Sequence, residues 1–171
     1  MALVHFQVDP RKSVVIVRAR SSVHDTDTKF TRLGGTIDVD PADPGSGAQA
    51  RISVDMREFD AGDWLKNRKL RGDLEPDKYP EALFALSLLK DVAKKAGERF
   101  EAKALGGLAW RGRSASVEAA GGATITPVRV IAECRFDLDV TTLGVKPPKV
   151  LMFKVEDVVS VEVKLEATVS G

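Results

Sequence analysis

Apolar and polar residues alternate along much of the chain, and a period of two is typical of strands with one buried and one solvated face. The alternation is clearest in three segments, at residues 50–59, 128–140 and 159–169. The positions that it places on the buried face are Ala50, Ile52, Val54, Met56, Val128, Val130, Ala132, Cys134, Phe136, Leu138, Val140, Val159, Val161, Val163, Leu165, Ala167 and Val169. We predict a long strand in each segment.

Weaker strand patterns occupy much of the remaining chain, at residues 3–8, 13–23, 35–40, 99–105 and 108–117. Residues that favour turns separate the strands. These turn signals are Asp9-Pro10, Gly34-Gly35, residues 40–47, Gly97, Gly106-Gly107, Gly121-Gly122 and Pro147-Pro148. Many antiparallel strands at short spacing predict a β-sandwich or a β-barrel.

Residues 60–71 form the segment in which a helix pattern meets no competing strand pattern. Asp60 or Asp63 would cap its N-terminus, because a carboxylate there accepts hydrogen bonds from the unpaired N–H groups of the first turn. Cations near the C-terminal end complement the helix dipole. Those cations are Arg68, Lys69 and Arg71. The segment predicts a helix of about three turns.

Residues 81–97 fit two different structures. Leu86, Leu89, Ala93 and Ala96 recur at helical spacing, and Gly97 follows as a helix terminator. Local propensity therefore favours a helix, and the residues alone leave the choice between helix and strand open.

Length and composition predict one folded domain over residues 1–171, with 43% apolar and 30% charged residues. Lysine and arginine total 26 against 25 acidic residues, a net charge of +1, so no overall field attracts nucleic acid or an anionic membrane. The N-terminus lacks a signal-peptide pattern, and no apolar run reaches the ~18–20 residues of a membrane span. We therefore expect a cytoplasmic protein that binds no nucleic acid and does not span a membrane.

Few side chains offer catalytic or metal-binding chemistry. His24 lies beside Asp25 and Asp27, but such loop acids more often hydrogen-bond their own backbone. His5 is isolated, and no phosphate-binding loop, nucleophile elbow or paired-histidine motif occurs. The single Cys134 lies on an inward face, where burial raises a thiol pKa. We predict no enzyme activity, no cofactor and no metal.

Ordered motifs over nearly the whole chain carry a resemblance to a known family. The segments are VDPRKS at 8–13, FTRLGGTIDVD at 30–40, residues 59–86, residues 106–119, residues 136–148 and residues 155–167. The most specific marks in them are Leu70-Arg71, Tyr79-Pro80-x-x-x-Phe84 and Leu143-Gly144-Val145. In the order and spacing of these motifs the chain resembles the YceI-like family. It departs from the family at Lys12, where histidine is common, and at Thr28, where glycine is common.

The resemblance implies a mainly β fold, a single antiparallel eight-stranded lipocalin-like barrel with one short helix between the fourth and fifth long strands. It also implies that residues 82–96 form a strand rather than a helix, with Phe84, Leu86 and Leu88 on one face. Residues 60–80, close to charge-balanced, would close one barrel end with Trp64 and Leu65 packed inward. This segment has a second potential use as a lid over the barrel mouth.

The barrel interior is the candidate functional site, because eight strands enclose either a packed core or room for one small ligand. The residues predicted to line it are Val15, Val17, Ala19, Ile52, Val54, Met56, Phe84, Leu86, Ala104, Trp110, Ala132, Cys134, Phe136 and Leu138. Small residues among the inward positions, including Ser21 and Ala102, favour a void.

Two main hypotheses follow. The first is a non-enzymatic carrier that binds an apolar chain-like ligand, such as a polyisoprenoid, a fatty acyl group or a similar amphiphile. The alternative is a solid barrel that binds a protein partner through residues 40–47 or 60–80. An enzyme acting on a lipid-like substrate ranks third. The oligomeric state stays open, with a homodimer among the options.

Overall fold

The computed structural model describes residues 2–20, 25–146, 149–150, 153–154 and 156–170. Several predictions fall outside these ranges: the inward position of Ser21, the last part of the strand predicted at 13–23, His24, and the turn at Pro147-Pro148.

The structure consists mainly of β-strands. The strands are β1 (Val4–Val8), β2 (Val14–Ala19), β3 (Thr26–Phe30), β4 (Leu33–Val39), β5 (Gln49–Asp55), β6 (Phe59–Asp60), β7 (Glu81–Lys94), β8 (Arg99–Trp110), β9 (Arg113–Ile125), β10 (Arg129–Asp139), β11 (Lys149–Val150), β12 (Phe153–Lys154) and β13 (Val158–Val169). The helix α1 spans Trp64–Leu74, and 3₁₀ turns lie at Pro10–Lys12 and Val140–Leu143. Strand β3 is an element that the sequence patterns missed.

The strands close into an antiparallel barrel in the order β1-β4-β5-β7-β8-β9-β10-β13, and β1 pairs with β13 to complete the ring. Strand β2 also pairs with β13, further along it, and β3 and β6 continue outward from β2. The barrel wall therefore contains three bent strands, each made of two consecutive segments. These pairs of segments are β1 with β2, β3 with β4, and β5 with β6. The predicted closed eight-stranded barrel is confirmed.

The helix α1 lies between β6 and β7, so its predicted place between the fourth and fifth long strands is only approximate. The difference arises because β1 and β2, counted as two strands in the prediction, form one wall strand bent by the 3₁₀ turn Pro10–Lys12. Asp63 is the N-cap and accepts a hydrogen bond from the Lys66 N–H at 2.8 Å. Asp60 accepts instead from the Gly62 N–H, so the helix begins at Trp64.

Strand β7 resolves the conflict at residues 81–97 in favour of a strand. Its pairing with β8 shifts register between Leu86 and Leu88, and again between Lys90 and Ala93. Each shift inserts one extra residue in β7, so the side chains that follow it point to the opposite face of the sheet. The prediction that Leu88 faces inward is therefore wrong, since its side chain is 51% exposed. Leu86, Leu89 and Val92 face the interior at a spacing of three, which the sequence presents as helix periodicity.

Three glycine pairs predicted as turns lie inside strands. Gly34-Gly35 belongs to β4, Gly106-Gly107 to β8 and Gly121-Gly122 to β9. A Cβ on Gly106 would lie 2.3 Å from the carbonyl oxygen of Ala85 and 2.7 Å from the Phe84 ring. A Cβ on Gly121 would lie 2.0 Å from the Glu133 carbonyl oxygen. These glycines permit close approach of coiled neighbouring strands.

The strands β8 and β9 instead turn at Arg111 and Gly112, whose φ angles of 58° and 70° suit a tight two-residue hairpin. The turns predicted at Asp9-Pro10, at residues 40–47 and at Gly97 are confirmed.

Val128 is wrong as an inward position, because its side chain is 62% exposed. Val169 pairs with the buried Phe6 and is 42% exposed because it ends β13 at the rim of the barrel. Val128 lies in the turn before β10, where its carbonyl accepts a hydrogen bond from the Val169 N–H at 3.0 Å. The alternation of inward and outward side chains holds only within a strand. It does not predict the direction of a side chain in a turn, because the backbone there no longer follows the pleat.

The barrel has two ends that differ in composition. The helix end carries α1, the turn at Arg111-Gly112 and the connection between β10 and β13. The opposite end carries residues 40–48, 95–98 and 126–128. Phe6 and Ala167, on paired strands near the opposite end, are fully buried.

Candidate functional site

The barrel encloses a cavity of about 480 Å³. Its wall is almost entirely apolar and runs from Pro44 and Phe100 near the opposite end to Leu70 and Leu143 at the helix end. The volume lies within the ~300–1,000 Å³ typical of small-molecule sites. The cavity therefore extends along the barrel rather than forming a local void.

The fourteen residues predicted to form the ligand-binding lining all lie on this wall. They are Val15, Val17, Ala19, Ile52, Val54, Met56, Phe84, Leu86, Ala104, Trp110, Ala132, Cys134, Phe136 and Leu138. Their position is thus established, whereas their contact with a ligand stays a prediction.

Small residues on three adjacent strands account for the open space. Ala104 of β8 pairs with Ala119 of β9, Ala102 with Gly121, and Gly121 with Cys134 of β10. All these residues line the cavity. Because small side chains meet across neighbouring strands, this part of the wall leaves space that the bulkier residues of β2, β5 and β7 do not fill.

Cys134 behaves as an apolar wall residue. Burial, followed by the nearby charge of Glu133, raises the pKa of its thiol to about 11. The thiol is thus protonated at neutral pH and unsuited to nucleophilic catalysis.

One side of α1 adds polar groups to the cavity that the sequence patterns did not predict. Its lining residues are Lys66, Lys69, Leu70, Asp73 and Leu74, which recur at the spacing of one helix face. Thr26 of β3 and Glu156 line the cavity at the same end. We identify this end as the mouth, because polar side chains gather there. Glu133, nearer the opposite end, also touches the wall, but its carboxylate pairs with Arg99.

Trp64 and Leu65 point away from the barrel, so the prediction that they pack inward is wrong. Their exposed fractions are 72% and 61%. The Asn67 side chain fixes the orientation of the first turn, since it accepts from the Ala61 N–H at 2.6 Å and donates to Asp60 at 3.3 Å. Because Leu70, Asp73 and Leu74 face the cavity, Trp64 and Leu65 fall on the other side of the helix.

Asp73 contributes an unusual group to the mouth. Its Oδ2 is buried and has no hydrogen-bond partner. No other buried side-chain oxygen or nitrogen in the described ranges lacks one. Desolvation raises the pKa of the Asp73 carboxyl, and the charge of Lys69 acts in the opposite direction. A buried oxygen without a donor is costly, so this position favours a ligand group or water that donates a hydrogen bond.

The C-terminal end of α1 is tied to the barrel rim by Arg111. Its Nη1 donates to the Leu74 carbonyl at 2.9 Å, and its Nη2 lies 3.4 Å from the Glu75 carboxylate. The guanidinium also lies 4.5 Å from the Tyr79 ring centroid and 5.4 Å from that of Trp110. Polar and cation–π contacts therefore hold the helix over the mouth, in addition to the apolar packing of Leu70 and Leu74.

Two further findings concern the ranges that the structure describes. No group of three or more His, Cys, Asp or Glu side chains there is arranged to hold a metal ion. In the same ranges, no helix combines the length and apolar character needed to span a membrane.

Solved structures share this fold at low sequence identity. Burkholderia cenocepacia BcnA aligns with a TM-score of 0.76 at 23% identity, covering 94% of this chain and 99% of its own. A polyisoprenoid binding domain from Saccharophagus degradans, implicated in plant cell wall breakdown, aligns with a TM-score of 0.75 at 13% identity, covering 99% and 100%. A Campylobacter jejuni YCEI protein aligns with a TM-score of 0.66 at 14% identity, covering 84% and 85%.

The curated proteins include no significant match to this sequence. The sequence model of the YceI-like domain, in contrast, matches residues 6–167. That match runs from β1 to β13 and so includes every strand of the closed ring. The chain therefore belongs to the family of YceI-like domains.

Proposed function

We propose that this chain, as a single barrel domain, binds an apolar chain-like ligand without chemical conversion. The ligand class is a polyisoprenoid, a fatty acyl chain or a similar amphiphile. The observation that carries the proposal is the apolar cavity of about 480 Å³ along the barrel. Burial supplies the affinity, at ~0.8 kcal/mol for each methylene transferred from water.

The polar group of the amphiphile would lie at the mouth. Lys66 and Lys69 supply positive charge there, and the Asp73 Oδ2, which has no hydrogen-bond partner in the structure, would accept a hydrogen bond from the ligand. The chain of the ligand would extend from these residues toward Pro44 and Phe100. This orientation keeps the polar group away from the apolar end, where it would have no hydrogen-bond partner.

The comparisons support the ligand class. The chain is a YceI-like domain, and the similar barrel from Saccharophagus degradans is a polyisoprenoid binding domain. Because that similarity is at 13% identity, the identity of the ligand in this chain is our proposal.

Binding without catalysis fits the lining. The charged lining residues cluster mainly at the mouth, and the Cys134 thiol is protonated at neutral pH. The alternative, a solid barrel that binds partners through its loops, fits less well. Pro44 of the loop at 40–47 is buried against the cavity end, so part of this loop closes the barrel. A cytoplasmic location and a homodimer stay predictions from the sequence.

A pair of substitutions on opposite faces of the wall tests the proposal. Ala132→Phe fills the cavity, whereas Ala120→Phe places the same side chain on the exposed face of the neighbouring strand. We expect the parent and Ala120→Phe to bind a fluorescent long-chain probe equally. Ala132→Phe should bind it at least about tenfold more weakly, since a ring displaces several ligand methylenes.

Urea unfolding of the same proteins separates obstruction from damage. In an open cavity, Ala132→Phe should change the midpoint little. In a solid core it would overpack, at a cost of about 1–3 kcal/mol. Destabilisation by Ala132→Phe, together with no probe binding by the parent, would reject the carrier function and favour the interaction module.

A further inference from the structure

The outward face of α1 is exposed and apolar, directly over the cavity mouth. Trp64 and Leu65 are 72% and 61% exposed, and Arg68 beside them is also exposed. The opposite face of the same helix carries Leu70 and Leu74, which line the cavity. A helix that exposes its tryptophan while its inward face carries lysines and an aspartate is not oriented by core burial alone.

The charges within the helix α1 itself are mainly cationic. Within α1, the residues Lys66, Arg68, Lys69 and Arg71 are basic and Asp73 is acidic, which gives four minus one, a net charge of +3. Asp73 lies on the inward side, at the cavity. Of the acids that flank the helix, Asp63 caps the N-terminus, Asp60 accepts from Gly62 and Asn67, and Glu75 pairs with Arg111, whereas Asp77 is exposed.

This combination matches the interface of an anionic lipid bilayer. Tryptophan is enriched where a membrane meets water, because its ring is apolar and its N–H is polar. Basic side chains beside it are attracted to anionic headgroups. An apolar and cationic helix face of this kind binds in the plane of a membrane surface rather than across it.

A second element at the same end has the same sequence character. Strand β11 (Lys149–Val150) pairs with β12 (Phe153–Lys154) on the connection between β10 and β13. In sequence, residues 150–153 are four apolar residues between two lysines, of which 151 and 152 lie outside the described ranges. The pairing of β11 with β12 therefore lies at the same end of the barrel as α1.

We propose that the outward face of α1, formed by Trp64, Leu65 and Arg68, docks the barrel mouth onto an anionic lipid bilayer. The mouth then faces the membrane, and an amphiphile passes between bilayer and cavity with little exposure of its chain to water. The docking surface goes beyond the proposed ligand binding, and membrane binding is measured independently of it.

Vesicle sedimentation and tryptophan fluorescence test the docking. The protein contains two tryptophans, and Trp110 is only 7% exposed, so a change in emission on binding reports mainly Trp64. We expect the parent to sediment with vesicles of phosphatidylcholine and phosphatidylglycerol, with a blue shift of its emission. Binding to pure phosphatidylcholine should be weaker, because the cations then lack anionic partners.

Variants of exposed residues locate the surface. The double variant Trp64→Ser/Leu65→Ser should lose about tenfold or more in vesicle affinity through lost apolar contact. Arg68→Ala should lose about fivefold on anionic vesicles, which corresponds to ~1 kcal/mol for one cation at the surface. Val128→Ser is the matched control, because Val128 is 62% exposed and lies at the opposite end. It should bind vesicles like the parent.

The outcomes are distinct. Failure of the parent to bind anionic vesicles overturns the docking proposal, and so does an equal loss in Val128→Ser. If Trp64→Ser/Leu65→Ser instead abolishes a dimer seen by sedimentation velocity, while the parent ignores vesicles, the face is a self-association surface and the proposal is wrong. Binding of the long-chain probe in solution should be unchanged in this double variant, so loss of docking and loss of cavity function are told apart.

Discussion

The two ends of the barrel are built on different principles. At the opposite end, Phe6 and Ala167 are fully buried, and Pro44 covers the interior. At the helix end, the groups that meet the cavity include Lys66, Lys69 and Asp73, under a helix whose Trp64 is exposed. One end is closed by apolar packing alone, whereas the other combines buried apolar residues such as Leu74 and Leu143 with a helix that is also attached through polar contacts.

The difference indicates where a ligand enters. Apolar packing opens only at the cost of exposing buried surface, whereas individual polar and cation–π contacts contribute only about 0.5–2 kcal/mol each. The polar contacts that attach α1 involve Asn67 at its start, and Arg71 and Arg111 toward its end. Local opening should therefore occur at the helix end first.

The largest expected effect is at the closed end. Phe6→Ala removes a fully buried ring and should lower the free energy of unfolding by about 3–5 kcal/mol. Trp64→Ala removes a larger side chain from the helix end but should stay within ~0.5 kcal/mol of the parent, because Trp64 is 72% exposed. Urea unfolding measures both, and equal losses in the two variants would contradict the contrast between the ends.

Loss of the contacts that attach the helix α1 should lower the free energy of unfolding by a smaller amount. Arg111→Ala removes the hydrogen bond to the Leu74 carbonyl and the contacts with Glu75 and Tyr79, and should cost about 1–3 kcal/mol. Arg111→Lys keeps the charge but not the planar fork, and should recover only part of the loss. Amide hydrogen exchange should accelerate in α1 but not in β1, and uniform acceleration throughout the barrel would argue against a separately attached lid.

The smallest effect concerns Asp73 and depends on pH. Desolvation raises the pKa of its carboxyl above the ordinary value of 3.8, so the folded state binds the proton more tightly than the unfolded state does. The free energy of unfolding therefore falls as pH rises from the ordinary value through the raised pKa. Asp73→Asn should be slightly more stable than the parent at neutral pH, and this advantage should disappear in acid.

Urea midpoints across this pH range test the prediction, with Asp77→Asn as a control for the loss of one exposed negative charge. An Asp73→Asn variant that is less stable than the parent at neutral pH would show that the carboxylate has a stabilising partner.

The sequence predicted the wall better than the mouth. Alternation of apolar residues in β5, β10 and β13 correctly placed residues such as Ile52 and Phe136 on the cavity. Alternation fails in β7, where extra residues at the bulges reverse the facing, and no local signal marks a bulge as distinct from a helical period. Likewise, Gly106 and Gly121 look like turn residues, because their role depends on contacts with a neighbouring strand.

The orientation of α1 was not predictable from its own sequence. Tryptophan and leucine are expected to be buried, but the Asp63 cap and the Asn67 hydrogen bonds to residues 60 and 61 fix the rotation of the helix. These contacts direct Leu70 and Leu74 inward and leave Trp64 exposed. The resemblance to the YceI-like family supplied the barrel, whereas the polar mouth became visible only in three dimensions.

Native mass spectrometry after mild purification tests the central claim most directly. If the barrel binds a chain-like amphiphile through the helix end, the parent and Ala120→Phe should retain a molecule of that class as added mass. Ala132→Phe, whose ring occupies the cavity, should retain much less. A parent protein that carries no added mass, and that also fails to take up a long-chain amphiphile supplied in excess, would contradict the account.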